Sequence, residues 1–98
     1  MKCVEEGHVY KLDNFQTSPA QELVFLKRTN GELVYDGTTN EEVLEMLIDR
    51  IRHLNTKLSC SENLIALIRL EEALMWLNRR TELRNRQGVK TLDKAHKS

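Results

Sequence analysis

Along the chain, apolar residues first alternate with polar ones and then recur every three or four positions, so the pattern changes period once, just after Asp36-Gly37-Thr38. Residues 8–36 carry the strand-like part. HVYKLDNF comes first, followed by a loop, Gln16 to Ala20, that holds the only proline; ELVFLKR and ELVY then flank Asn30-Gly31. Asn-Gly between apolar runs favours a type I′ turn, because both central positions need positive φ. The pattern predicts a hairpin from about Glu22 to Tyr35, with the earlier run as a third strand. Three strands with so few large apolar residues need something to lie against.

Beyond Thr38 the spacing turns helical. Thr39-x-x-Glu42 is a capping-box pattern, and Leu44, Leu47, Ile51, Leu54 and Leu58 follow at alternating steps of three and four, predicting a helix over 39–58. Ser59-x-x-Glu62 repeats the capping signal, and Leu67, Leu70, Leu74 and Leu77 repeat the spacing, predicting a second helix over 60–87 with Gly88 as its left-handed cap. Two helices so joined form a helical hairpin. Further apolar residues lie off the two seams: Val43, Met46 and Ile48 on the first helix, Ile65, Ile68, Met75 and Trp76 on the second. These surplus faces need the sheet, another subunit or a ligand. Trp76 reads first as a packing residue, with base stacking as the alternative, since it precedes Arg79 and Arg80 by one turn.

The fold class is therefore α+β: a short antiparallel N-terminal sheet, then a C-terminal two-helix hairpin. It forms one domain over residues 1–92 with a polar tail at 93–98. A chain of 98 residues buries a modest share of its surface, so the expectation is an oligomer.

Charge changes the picture. The formal net charge is zero, yet residues 79–98 hold seven Lys or Arg against two acids, and residues 1–78 carry the opposite surplus of five. A protein that coats nucleic acid would be basic throughout, whereas a basic end on an acidic body suits a small anion. No apolar run is long enough for a membrane span, and MKCVEEGHVYKLDN lacks the apolar core of a signal peptide, which points to a soluble cytosolic chain. Cys3 and Cys60 read as free thiols.

Catalytic chemistry finds little support. His8, His53 and His96 lie far apart without metal-ligand spacing and read as surface residues, and the four glycines are scattered singly. No cofactor is implied. The basic cluster is different. A helix C-terminus favours one or two cations at about 0.3–1 kcal/mol each. Arg80 and Arg84, four apart, instead repel by a few tenths of a kcal/mol. Forked hydrogen bonds from guanidinium to phosphate, at roughly 1.5–3 kcal/mol each, outweigh that repulsion several-fold. One or two compact phosphates would account for the cluster.

TTNEEVLEMLIDRIRHLN, followed by SENLIALIRLEEALMWLNRRTELRNRQGV, resembles the helical hairpin of the phage Thoeris anti-defence proteins of the first type; GHVYKLDNF, LVFLKR and DG resemble that family's N-terminal strands. A sister family of phage anti-CBASS proteins shares the hairpin but has a shorter, helical N-terminus. The resemblance covers residues 7 to about 92, and LEEALMWLNRRT followed by R-x-R-x-G-V is its most specific part.

The resemblance implies a sponge. Such a protein sequesters the cyclic ADP-ribose isomer of Thoeris defence, glycocyclic ADP-ribose, without degrading it, and some members also bind CBASS cyclic di- or trinucleotides. It further implies dimers assembling into hexamers, ligand pockets at subunit interfaces, and action in the cytoplasm of an infected bacterium. Carried onto this chain, the phosphate side is Arg79, Arg80, Thr81, Arg84 and Arg86. Asn63 is a candidate contact to base or ribose, or a structural residue near the helix cap, and Phe25 and Lys27 would close the pocket. Relatives commonly show Gly-Val-Glu-Gly-Thr where this chain has Gly88-Val89-Lys90-Thr91, so the turn used for cyclic trinucleotides is altered here. The alternative, a small oligomeric nucleic-acid-binding or regulatory protein, has against it that the positive charge is confined to about twenty residues.

Overall fold

The computed structural model describes residues 1–90, with side chains described through Gln87; the tail expected at 93–98 lies outside the described residues. The order is β1 (Lys2–Glu5), β2 (Val9–Leu12), β3 (Gln21–Val24), β4 (Lys27–Thr29), β5 (Glu32–Tyr35), α1 (Asn40–Lys57) and α2 (Ser61–Lys90). The α+β class expected from the change of period is what forms. Contacts divide the chain after Thr39 into a strand unit and a helical unit.

In the strand unit, β1, β2 and β3 form an antiparallel sheet in that order, and β4 pairs with β5 as a separate ribbon. Asn30 (φ 53°) and Gly31 (φ 81°) link β4 to β5 with the two positive φ values that the Asn-Gly signal demands. The expected continuous strand ELVFLKR is two strands. It breaks at Phe25-Leu26 because Asp36-Gly37-Thr38 returns beside it: Thr38 N–H donates to the Val24 carbonyl at 2.8 Å and Leu26 N–H to the Thr38 carbonyl at 3.0 Å. β1 is additional to the three strands expected, and its pairing with β2 is bulged between Cys3 and Glu5.

His8 is not a surface histidine: it is 4% exposed. Its Nδ1 lies 2.7 Å from the Phe25 carbonyl, and its ring meets Tyr35 edge-on at 4.9 Å. A carbonyl only accepts, so Nδ1 carries the proton. Tyr10 and Phe25 form a second edge-on pair at 5.7 Å, so aromatic contacts stand where a larger unit would have an aliphatic core.

In the helical unit, α1 starts directly after Thr39, which places Thr39 at the N-cap and Glu42 at the third position, as the capping box requires. The second cap falls one residue later than Ser59. The Cys60 carbonyl accepts from Leu64 N–H at 3.3 Å, making Cys60 the N-cap, and Asn55 Oδ1 accepts from Cys60 N–H at 3.1 Å and from Asn63 Nδ2 at 3.4 Å. One asparagine thus ties the turn shut. α2 also runs through Gly88 to Lys90 instead of stopping there; glycine in a helix costs up to about 1 kcal/mol but does not forbid it.

The seam is buried at Ile48 and Leu67, 5% and 7% exposed, with Leu44, Leu47, Ile51, Leu70, Leu74 and Leu77 half-buried. Leu54 and Leu58, expected on it, are 41% and 79% exposed. A straight helix drifts about 20° per heptad away from a 3.5-residue repeat, so the interface moves from Leu54 to Asn55 and recruits Ile48. Truncating Leu67 to alanine should lower the stability of the hairpin by about 2–5 kcal/mol, read as an earlier loss of helical circular dichroism on heating. Trp76, expected first as a packing residue, is 57% exposed and belongs to no core of its own chain.

Candidate functional site

The Arg52–Glu71 ion pair, 3.2 Å, and the Asn55–Asn63 bond fix the antiparallel register of α1 against α2. Continuing that register sets Asn40, the first residue of α1, opposite the stretch around Glu82. α2 has 30 residues to the 18 of α1, so its last turns run on without a helical neighbour in the hairpin. The basic cluster lies where this overhang begins.

At 3.6 residues per turn the cluster divides. Arg79 and Arg86, seven apart, share one face; Arg80 and Arg84, four apart, share another, roughly a quarter to a third of a turn away. Thr81 falls in line with Leu74, on the seam side. Arg79, Arg80, Thr81 and Arg86 are exposed and Arg84 is half-buried. Elsewhere on the helices Arg52 pairs with Glu71, and Arg69 with Glu72 at 3.8 Å. Among the described residues no ion pair engages Arg79, Arg80, Arg84 or Arg86.

A groove of about 820 Å³ between the helices reaches Arg79 but not Arg80, Arg84 or Arg86. Its charged lining holds Glu45, Asp49, Glu71 and Glu82 against Arg52 and Arg79 only. Four carboxylates against two guanidinium groups repel a phosphate, which leaves Arg80 and Arg84 as the better-placed pair for an anion. Nothing in the linear pattern announces this groove, since its acids come from two helices and each spacing is that of an ordinary solvated face.

Asn63 is far from the arginines. It sits at the closed end of the hairpin, 17 residues before Arg80, which is about 25 Å along one helix. One small ligand cannot touch both within a chain, and Asn63 has its structural bond to Asn55.

Phe25 and Lys27 belong to the strand unit. Phe25 is half-buried, and its backbone N–H donates to the His8 carbonyl at 2.7 Å. Lys27 Nζ donates to Glu5 Oε1 at 2.8 Å, so its charge already has a carboxylate partner. That hydrogen bond, followed by the charge of Lys27, holds the Glu5 carboxyl below its ordinary value. A depressed folded-state value means that the contribution is present above the unfolded value and is lost as pH falls through the folded one. In Lys27→Ala the Glu5 carboxyl should titrate at higher pH, toward the ordinary carboxylate range, observable in its side-chain carbon shift by NMR; an unmoved titration would show that the bond is not kept in solution.

Among the described residues, no three His, Cys, Asp or Glu side chains converge as a metal site, and no helix is long and apolar enough to cross a membrane. Cys3 and Cys60 are exposed free thiols.

Residues 11–82 match the sequence profile described as Acb2/Tad1, hairpin domain. That match contains Arg79, Arg80 and Thr81 and stops short of Arg84. Over 77 residues the chain is 40% identical to Thoeris anti-defense 1 of Bacillus phage SBSphiJ7, an alignment covering 78% of this chain and 47% of that protein. The chain spans about half the length of this curated relative.

Proposed function

Since the chain belongs to the Acb2/Tad1 hairpin-domain family, we propose that it is a non-enzymatic sponge that binds and holds cyclic nucleotide immune signals. Glycocyclic ADP-ribose of Thoeris defence is the leading ligand, with CBASS cyclic dinucleotides as a second class, and the place of action is the cytoplasm of an infected bacterium. The observation that carries the reading is the arginine pair without an acidic partner among the described residues, exposed Arg80 and half-buried Arg84, near the free end of α2 in a chain 40% identical to a protein named for anti-Thoeris activity. Its role is to take the phosphates.

Starving an effector requires affinity near nanomolar, about 12 kcal/mol, which a small ligand reaches only in a deep, preorganised pocket. The arginine end of α2 alone is open to solvent. A second copy would close it, and would also bring its own Asn63 toward the arginines that lie about 25 Å from Asn63 in one chain. The functional form in this reading is a homo-oligomer, and the family resemblance implies dimers that assemble into a hexamer.

The test is a calorimetric titration with glycocyclic ADP-ribose, followed by heat denaturation of the complex and mass spectrometry of what is released. Tight binding with intact ligand supports the sponge. Recovery of a hydrolysed product alone, or no binding by folded protein, overturns it. Binding of DNA or RNA that weakens steeply with salt would move the function to the nucleic-acid class.

A further inference from the structure

The groove between α1 and α2 turns phosphate away, yet at about 820 Å³ it has the volume of a small-molecule site. Its floor is apolar. Ile48 is buried there and Leu74 half-buried, while Met75 and Trp76 line it at 53% and 57% exposure. Two large apolar side chains left open to water beside a built cavity suit an occupant that is itself partly apolar.

The charges are strung along this groove and do not meet at one point. Glu71 is taken by Arg52 at 3.2 Å, whereas among the described residues no ion pair engages Glu45, Asp49 or Glu82. With Arg52 and Glu71 level, the helix rise of about 1.5 Å per residue sets Asp49, Glu45 and Glu82 at successive intervals of about 6 Å along two antiparallel helices. A compact divalent ion needs its oxygen ligands gathered within one coordination shell, and among the described residues no three acids converge in that way. The complement is a cation whose charges are spread at the same interval along an aliphatic chain. Its ammonium groups would meet the carboxylates, its methylenes the apolar floor, and the indole of Trp76 offers a face for one of the cations.

We propose that this groove binds linear aliphatic polyamines, with Asp49, Glu45 and Glu82 each holding one ammonium of a triamine built on three- and four-carbon spacers. Length sets the preference, because a diamine reaches only two of the three carboxylates. Arg79 works against the ligand: it lines the groove within a turn of Glu45 along the axis, without an ion-pair partner among the described residues, and repels the middle ammonium. All three carboxylates are exposed, so each contact is modest and binding weakens as salt rises.

Trp76 is the single tryptophan of the chain, so its fluorescence reports on the groove. The test titrates the full chain with spermidine at low salt and without nucleotide. Fluorescence should change along a saturating curve, half-complete at about 1 mM or below. Putrescine should bind more weakly, and Mg²⁺ at matched ionic strength should give no saturating response. Glu45→Gln/Asp49→Asn, on exposed residues without ion pairs to lose, should weaken spermidine binding by about fivefold or more while the helical circular dichroism stays unchanged. Arg79→Gln should tighten it by about twofold or more, a gain that loss of folding cannot produce. A response that does not saturate, an equal response to Mg²⁺, or no tightening in Arg79→Gln overturns the proposal. Because no cyclic nucleotide enters the experiment, its failure leaves the sponge reading standing, and failure of the sponge reading leaves this site standing.

Discussion

In a Gly37→Ala variant, the backbone amides of Leu26 and Thr38 lose their protection from hydrogen exchange while those of α1 and α2 keep theirs. A Cβ on residue 37 would lie 2.6 Å from the Phe25 carbonyl carbon, 2.6 Å from the Val24 oxygen and 2.8 Å from the Leu26 nitrogen. All three are backbone atoms, so no flexible side-chain end can yield. Backing away would break the bonds of Thr38 N–H to Val24 and of Leu26 N–H to Thr38, each worth about 1 kcal/mol net and more if its partner is left dry. Overpacking costs about 1–3 kcal/mol and more where backbone must move, so a loss of about 3 kcal/mol or more is expected. The strand unit, whose buried centre is a histidine, has little reserve to absorb it. Gly7→Ala is the control: open space surrounds that position, but its φ is +70°, so only the left-handed penalty of about 1–2 kcal/mol applies. Unchanged exchange at Leu26 and Thr38 in Gly37→Ala would refute this account.

Much of this fold is written locally. The Asn30-Gly31 turn and the start of α1 after Thr39 depend on a few neighbouring residues, and both appear where the pattern places them. The break in ELVFLKR does not depend on neighbours. Nothing in that run distinguishes Phe25 from Leu23; the division is imposed by the returning segment at Gly37 and Thr38, a contact made across the sequence. His8 was illegible for the same reason, since its burial depends on Phe25 and Tyr35. On the helices, leucines at 54 and 58 mimic a strict heptad, while the true interface follows the slightly longer period of a straight helix. The candidate site was legible as a cluster at one end of α2, and its split into two faces follows from spacing alone. The acidic groove beside Arg79 was not, because it needs both helices in register.

The second large effect concerns binding. Arg80→Glu/Arg84→Glu should weaken capture of glycocyclic ADP-ribose by about 10³-fold or more. Two charge-assisted contacts at roughly 1.5–3 kcal/mol each correspond to about 3–6 kcal/mol, and reversing the charges adds repulsion of the phosphates. The mass of the oligomer and the helical signal should stay unchanged, because neither residue has an ion-pair partner among the described residues to lose. Arg86→Glu, on the other face of α2, should cost far less. Calorimetric titration of the three proteins decides the matter: equal losses in Arg86→Glu and the double variant would mean that the cluster acts only as diffuse positive charge.

The unequal length of the two helices has a thermodynamic consequence. The last turns of α2 have no α1 beside them, so they rely on their own backbone hydrogen bonds, and short unsupported helix is marginal in water. Repulsion between Arg80 and Arg84 works against them further. A phosphate held by both residues would staple one turn to the next, making capture and the firming of the helix a single event. Part of the gross interaction would then be spent on ordering, giving a favourable enthalpy opposed by entropy. Measured affinity would fall short of the intrinsic one by the fraction of copies whose helix end is already formed, so the protein could be tuned by helix propensity at positions that never touch the signal.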